Sequence, residues 1–249
     1  IDKYREQLLE MGVNIPKSYS WVAVRIDATS AGLLGAEPYC GENVKNRLQT
    51  GTWEECYGIT QMILDSLTPL LQNEKNLYDE KYLRVGIDPK PENFVFSEET
   101  GCCTFIDVMP PRFVDDDDTF LVEYPQPSTQ LGMELGKWKH FTVAGILTVL
   151  LTQLGRIRPK FYSAFKNTIL EKFPDVLDGA VNVALLTSDQ ISQINNPYTM
   201  RLLMCEVASK KDVPPSVVEE LFKRTHFEEV LDHTDELWAQ GTLKYWYAK

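Results

Sequence analysis

A chain of 249 residues with 43% apolar and 11% aromatic content can fill a sizeable core, which excludes an intrinsically disordered chain. Acidic residues outnumber basic ones, 36 to 25, and the net charge of −11 argues against a nucleic-acid surface or an anionic membrane as the main partner. Five cysteines, odd in number and never in C-x-x-C spacing, argue against a disulfide framework or a zinc site. The acidic balance suits a cationic partner. It is also common among soluble cytosolic proteins, and that plainer reading carries more weight.

The chain opens on a charged amphipathic stretch rather than a signal peptide, and no N-x-S/T sequon occurs, so cytoplasm is the expected location. Residues 1 to 11 place Tyr4, Leu8, Leu9 and Met11 at helical spacing among charges, and Gly12 stops the pattern. Tyr19 to Ile26 alternates as a strand. After the small-residue turn Ala28 to Gly32, Leu33-Leu34 predicts a second strand that leads into Glu37-Pro38-Tyr39-Cys40.

Gly41 to Thr50 predicts a short polar helix. Trp53 to Leu71 predicts a long one with apolar positions at Tyr57, Ile59, Met62, Ile63, Leu67 and Leu70, broken near its end by Pro69. A polar loop, Asn73 to Glu80, follows. From Leu131 the period is helical throughout: Leu135 to Leu154, Phe161 to Phe173, Val176 to Leu186, Met200 to Ala208 and Pro214 to Leu231. The longest apolar window, Phe141 to Leu154, holds three threonines and a glutamine and is too short to span a bilayer, so a buried core helix is expected there.

The segment with the most chemistry lies between the polar loop and this helical part. It runs Asp88-Pro89-Lys90-Pro91-Glu92-Asn93, then Phe94-Val95-Phe96, a turn holding Cys102-Cys103, and Phe105-Ile106-Asp107. Phosphoryl transfer needs a carboxylate beside the attacking hydroxyl and oxygen ligands for the magnesium ions that bridge the phosphates. Asp88 can orient the acceptor and take its proton late, while Asn93 and Asp107 can hold metal. The stretch resembles the catalytic loop and metal-binding strand of the protein-kinase-like superfamily, in which D-x-K-x-x-N precedes the Asp of D-F-G. Gly86-Ile87-Asp88 stands in place of H-R-D or H-G-D, and Asp107-Val108-Met109 in place of D-F-G. No A-P-E follows Asp107. The closest branch is therefore that of aminoglycoside- and choline-type small-molecule phosphotransferases.

The resemblance implies an α+β, two-lobed protein-kinase-like fold: a partial N-terminal lobe and hinge with a small antiparallel sheet over residues 1–40, and a large, mainly helical C-terminal lobe carrying the catalytic loop over 41–249. It implies ATP and magnesium as cofactors, an adenine hinge at Glu37, Pro38, Tyr39 and Cys40, and a small-molecule hydroxyl as acceptor. Lys90 is a phosphate-contacting lysine under the resemblance and a solvated loop charge without it. The family's glycine-rich loop and strand lysine have no counterpart in the sequence, so residues missing before Ile1 are expected. The alternative is a catalytically inactive, pseudokinase-type binding or scaffold protein.

Other features have plainer explanations. Asp115 to Asp118 reads as a solvated loop before it reads as a cation site, and His226 with His233 lacks a third ligand for zinc. His140 reads as a packing or hydrogen-bonding residue. Trp238, Tyr245, Trp246 and Tyr247 read as an aromatic anchor for the last helix.

Overall fold

The computed structural model describes residues 2–16, 20–25, 31–36, 41–98, 101–107, 113–114, 120–121 and 137–174. Among them the protein is α+β, with a three-stranded antiparallel sheet packed among helices. The hinge residues Glu37 to Cys40, the aspartate run, the three helices expected beyond Val176, the distal histidines and the C-terminal aromatics lie outside the described residues.

Helix α1 (Asp2–Glu10) buries Tyr4 and Leu8, one turn apart, and leaves Leu9 exposed, so only one of the two adjacent leucines belongs to the core. The helix closes with two bonds that return to its last turn, Val13 N–H to the Leu8 carbonyl and Gly12 N–H to that of Leu9, each 2.9 Å. Gly12, at φ +81°, supplies the left-handed residue such a closure requires. Val13 then packs beside Leu8 in the same core.

Strands β1 (Ser20–Arg25) and β2 (Ala31–Ala36) form an antiparallel hairpin with Ser20 opposite Ala36 and Arg25 opposite Ala31. Strand β3 (Glu42–Asn43) pairs with β4 (Phe94–Ser97), which pairs in turn with β5 (Cys102–Phe105), in the order β3-β4-β5. The expected helix over Gly41 to Thr50 thus begins only at Val44, as α2 (Val44–Thr50). The reason is local: the Asn43 side chain accepts the Lys45 N–H and caps the helix, which leaves Asn43 extended and free to pair with Val95. Cys102 and Cys103 are not in the turn. They open β5, opposite Ser97 and Phe96.

Helix α3 (Trp53–Leu71) starts on a reciprocal cap between Thr52 and Glu55. Its buried face is Cys56, Ile59, Thr60, Ile63, Leu64, Leu67, Leu70 and Leu71, while Tyr57 is exposed. Pro69 does not break it. So near the C-terminus the ring removes one donor, the bond otherwise made to the Asp65 carbonyl, and Gln72 N–H closes the ladder on Thr68.

The expected helix over Leu135 to Leu154 is interrupted. A helical stretch at 137–141 ends at Thr142, whose extended backbone and hydroxyl cap α4 (Val143–Ile157). α4 is buried over most of its length, as its apolar composition predicts, and no helix among the described residues is long and apolar enough to cross a membrane. After a 3-10 turn at Pro159–Phe161, α5 (Tyr162–Lys172) packs against both α4 and α3. Arg158 joins this layer to the end of α2 by donating to the carbonyls of Leu48, Gln49 and Gly51. Short two-residue strands β6 (Phe113–Val114) and β7 (Phe120–Leu121) pair antiparallel.

Phe94 and Phe105, paired across β4 and β5 with ring centroids 5.3 Å apart and both fully buried, anchor the sheet in the core. Burial of each contributes on the order of 2–3 kcal/mol. The sheet also meets a tight backbone approach. A Cβ on Gly41, at φ +135°, would lie 2.1 Å from the Phe96 carbonyl oxygen, whereas one on Gly101, at φ +63°, would meet open space. Gly101→Ala should therefore cost only the left-handed penalty of about 1 kcal/mol. Gly41→Ala must also push β3 off β4 and should cost about 3 kcal/mol or more. Urea unfolding of the two variants checks the difference, and equal losses would contradict it.

Candidate functional site

The segment leading to Asp88 is fastened before it reaches the site. Asn76, fully buried, accepts the Val85 N–H at 2.8 Å and donates to the Leu70 and Val85 carbonyls at 3.1 and 3.3 Å. Leu83 N–H donates to the Phe141 carbonyl and Ile87 N–H to that of His140, at 2.7 and 3.1 Å. The His140 ring nitrogen Nδ1 lies 3.3 Å from the Ile87 carbonyl, in keeping with the hydrogen-bonding role expected of it. Tyr4, from α1, donates its hydroxyl to the Gly86 carbonyl at 2.9 Å.

Asp88 follows immediately. Its carboxylate oxygen Oδ2 lies 2.9 Å from Lys90 Nζ, and its side chain is only 15% exposed. The second oxygen, Oδ1, is buried and has no hydrogen-bond partner among the described residues. A buried carboxylate oxygen without a donor is costly. Because Oδ1 is buried, the exposed part of the carboxylate is the part facing Lys90. An incoming hydroxyl must share or displace that ammonium.

Pro91–Asn93 forms a single 3-10 turn in which Asn93 N–H donates to the Lys90 carbonyl at 2.9 Å. Proline at its first position has its φ preset for such a turn. The turn points the Asn93 amide inward. Nδ2 donates to the Asp88 carbonyl at 3.0 Å and to Asp107 Oδ2 at 3.1 Å. The backbone agrees, since Ile106 N–H donates to the Asn93 carbonyl at 2.9 Å. Asp107 itself stands two residues beyond the end of β5.

Asp88, Lys90, Asn93 and Asp107 are thus brought together, as the spacing in the sequence predicts. With both amide hydrogens of Asn93 directed at Asp88 and Asp107, its Oδ1 is left as an acceptor. It and the Asp107 carboxylate are hard oxygens, the donor type that magnesium takes. Among the described residues no group of three or more His, Cys, Asp or Glu could hold a metal by itself. Glu92 serves structure: its carbonyl accepts from Asn43 Nδ2 at 2.8 Å, and its carboxylate lies 3.8 Å from Lys45 Nζ.

Tyr4, Asn14 and Asn76 support the site without belonging to its motif. Tyr4 carried a usable signal, because a tyrosine on the buried face of a helix must find a partner for its hydroxyl. Burial, followed by the charges of Asp107 and then Asp88, holds the Tyr4 phenol well above its ordinary pKa. Asn14, just after α1, donates to the Cys103 carbonyl at 3.0 Å and to Thr104 Oγ1 at 2.9 Å, and its carbonyl accepts the Phe105 N–H at 2.8 Å.

Cys102 is exposed, while burial pushes the neighbouring Cys103 thiol up to about 12. No protein-family model matches the chain, nor does any curated protein or solved structure.

Two outcomes are expected. Asn93→Ala should lose the link between Asp88 and Asp107 and destabilise the chain by about 1–2 kcal/mol, the worth of a hydrogen bond to a charged group in a half-buried setting. Chemical denaturation checks this, and an unchanged midpoint would contradict it. Iodoacetamide at pH 8 should add one label, at Cys102, to the native peptide that spans both cysteines, because only a thiolate reacts. Two labels on the folded protein would show that Cys103 is not buried as described.

Proposed function

We propose that this chain is an ATP- and magnesium-dependent phosphotransferase acting on a hydroxyl of a small molecule, built on a kinase-like two-lobed fold. One observation carries the reading. The Asn93 amide joins the Asp88 backbone carbonyl to the Asp107 carboxylate, so that the loop bearing the acceptor-orienting residue is held beside oxygens of the kind magnesium takes. Phosphoryl transfer depends mainly on positioning and charge, and this arrangement supplies both.

In this reading Asp88 receives the acceptor hydroxyl at its carboxylate, holds it in line and takes its proton late. Lys90, beside Asp88, leaves that carboxylate to contact the transferring phosphate as the acceptor enters. Asn93 and Asp107 hold magnesium, which when bound would neutralise phosphate charge. Glu37 to Cys40 form the adenine hinge through backbone groups. A small acceptor, cationic in keeping with the net charge of −11, is favoured over a protein substrate, because no A-P-E anchor follows Asp107. The Asp88–Lys90 ion pair, which closes the exposed side of the carboxylate, favours the second reading, a binding or scaffold protein that does not turn over.

Magnesium-ATP should raise the melting temperature. Ligand at 100 times its Kd adds about 2.7 kcal/mol, or roughly 5–10 °C for a chain of this size. Asp107→Ala should abolish this magnesium-dependent shift, whereas Asp88→Ala should keep it and lose turnover across a panel of hydroxylated metabolites. Equal loss of binding in both variants would contradict the assigned roles. Binding by wild type without turnover of any acceptor would favour the scaffold reading.

A further inference from the structure

The residues around Asp88 contain a device that the sequence motif does not. The Gly86 carbonyl, two residues before Asp88, accepts the hydroxyl of Tyr4, which is fully buried and lies 82 positions earlier in the chain. Ten residues after Tyr4, Asn14 clasps the strand that leads to Asp107 through the Cys103 carbonyl, Thr104 Oγ1 and the Phe105 N–H. One short unit, α1 and its exit, therefore holds both arms of the site from the same side. Gly86 cannot be held by a side chain of its own: a Cβ there would lie 2.6 Å from the His140 carbonyl oxygen and 3.0 Å from the Phe141 ring. A buried tyrosine needs some partner, and that alone explains a hydrogen bond. It does not explain why the same unit also clasps the arm that bears Asp107.

We infer that Tyr4 is a positioning residue for the candidate site, fixing the place of Asp88 relative to Asp107 through its bond to the Gly86 carbonyl, with Asn14 holding the opposite arm. The catalytic consequence rests on the phosphotransfer reading; the tether itself does not. Tyr4→Phe removes only the hydroxyl and keeps the ring that fills the core. It leaves one buried carbonyl without its donor, a local loss.

The test is hydrogen exchange on the full chain, comparing peptides that span 83–93 with those that span 143–157, alongside magnesium-dependent ATP hydrolysis with water as acceptor. In Tyr4→Phe, exchange at the Ile87 amide should rise at least tenfold while 143–157 stays within twofold of wild type. The kcat for hydrolysis should fall at least tenfold with KM for magnesium-ATP unchanged. Unchanged exchange at 83–93, an equal rise at 143–157, or a variant that unfolds would each overturn the assignment, the last two because they make the hydroxyl a global stabiliser. An unaltered kcat in a chain that hydrolyses ATP would overturn it as well. A wild-type chain that neither binds nor hydrolyses magnesium-ATP would sink the phosphotransfer reading, while the exchange arm would still decide the tether.

Discussion

The amide of Asn93 is the contact on which the geometry of the site depends. Its two hydrogens reach the Asp88 carbonyl at 3.0 Å and the Asp107 carboxylate at 3.1 Å, beside the backbone bond from Ile106 N–H to the Asn93 carbonyl. One bond reaches a carboxylate and is worth more than a neutral bond, about 1.5–3 kcal/mol before solvent exposure reduces it. The other reaches a backbone carbonyl and so fixes the direction of the loop rather than the rotamer of Asp88. An alanine here would break both at once. The Asp88 side chain would keep its ion pair with Lys90, yet its distance to Asp107 would then rest on the backbone bond from Ile106 and on the contacts of α1 alone.

That contact works only because the surrounding backbone is already ordered. The register of β4 against β5, with Phe94 opposite Phe105, decides where the chain exits toward Asp107, and a slip of one residue would turn the Phe105 ring out of the core. Two fully buried phenylalanines make that slip expensive. On the other arm the fixed φ of Pro91 and the 3-10 turn through Asn93 narrow the backbone choices before any side-chain bond forms. Hydrophobic burial sets the register, and the hydrogen bonds then specify the site. The two contributions differ in kind: burial is large and non-directional, whereas each polar bond is small in net terms but costly to leave unmade.

The local part of this arrangement was legible in the sequence. The apolar period of Trp53 to Leu71 matches α3 in both bounds, Gly12 does end α1, and the spacing from Asp88 through Asn93 to Asp107 does place the three together. What escaped was set at long range or by small terms. Asn76 lay in a stretch that looked like a polar loop, because nothing in its neighbours announces that Leu70 and Val85 will both turn backbone groups toward it. Asn43 looked helical, since a cap and a strand end share the same extended backbone and only the Val95 pairing tells them apart. Thr142 looked like mid-helix for a similar reason: its hydroxyl competes with the backbone and becomes a cap. Pro69 looked like a breaker because a pattern does not show how few residues remain to lose a bond.

Gly86 shows why the support for Asp88 comes from elsewhere in the chain. Glycine at this position offers the loop no side chain of its own. The packing gives the reason. The His140 carbonyl and the Phe141 ring come so close that any Cβ would collide, and that same closeness lets Leu83 and Ile87 donate to this short stretch of backbone. Once the two segments meet backbone to backbone, no room remains for a supporting side chain within the loop. The polar groups of 86 and 87 must then be satisfied from outside. The Tyr4 hydroxyl takes the Gly86 carbonyl, and the His140 ring approaches that of Ile87. Support comes from two residues on neighbouring elements, so the position of Asp88 depends on how α1 and the segment before α4 dock, as well as on its own turn.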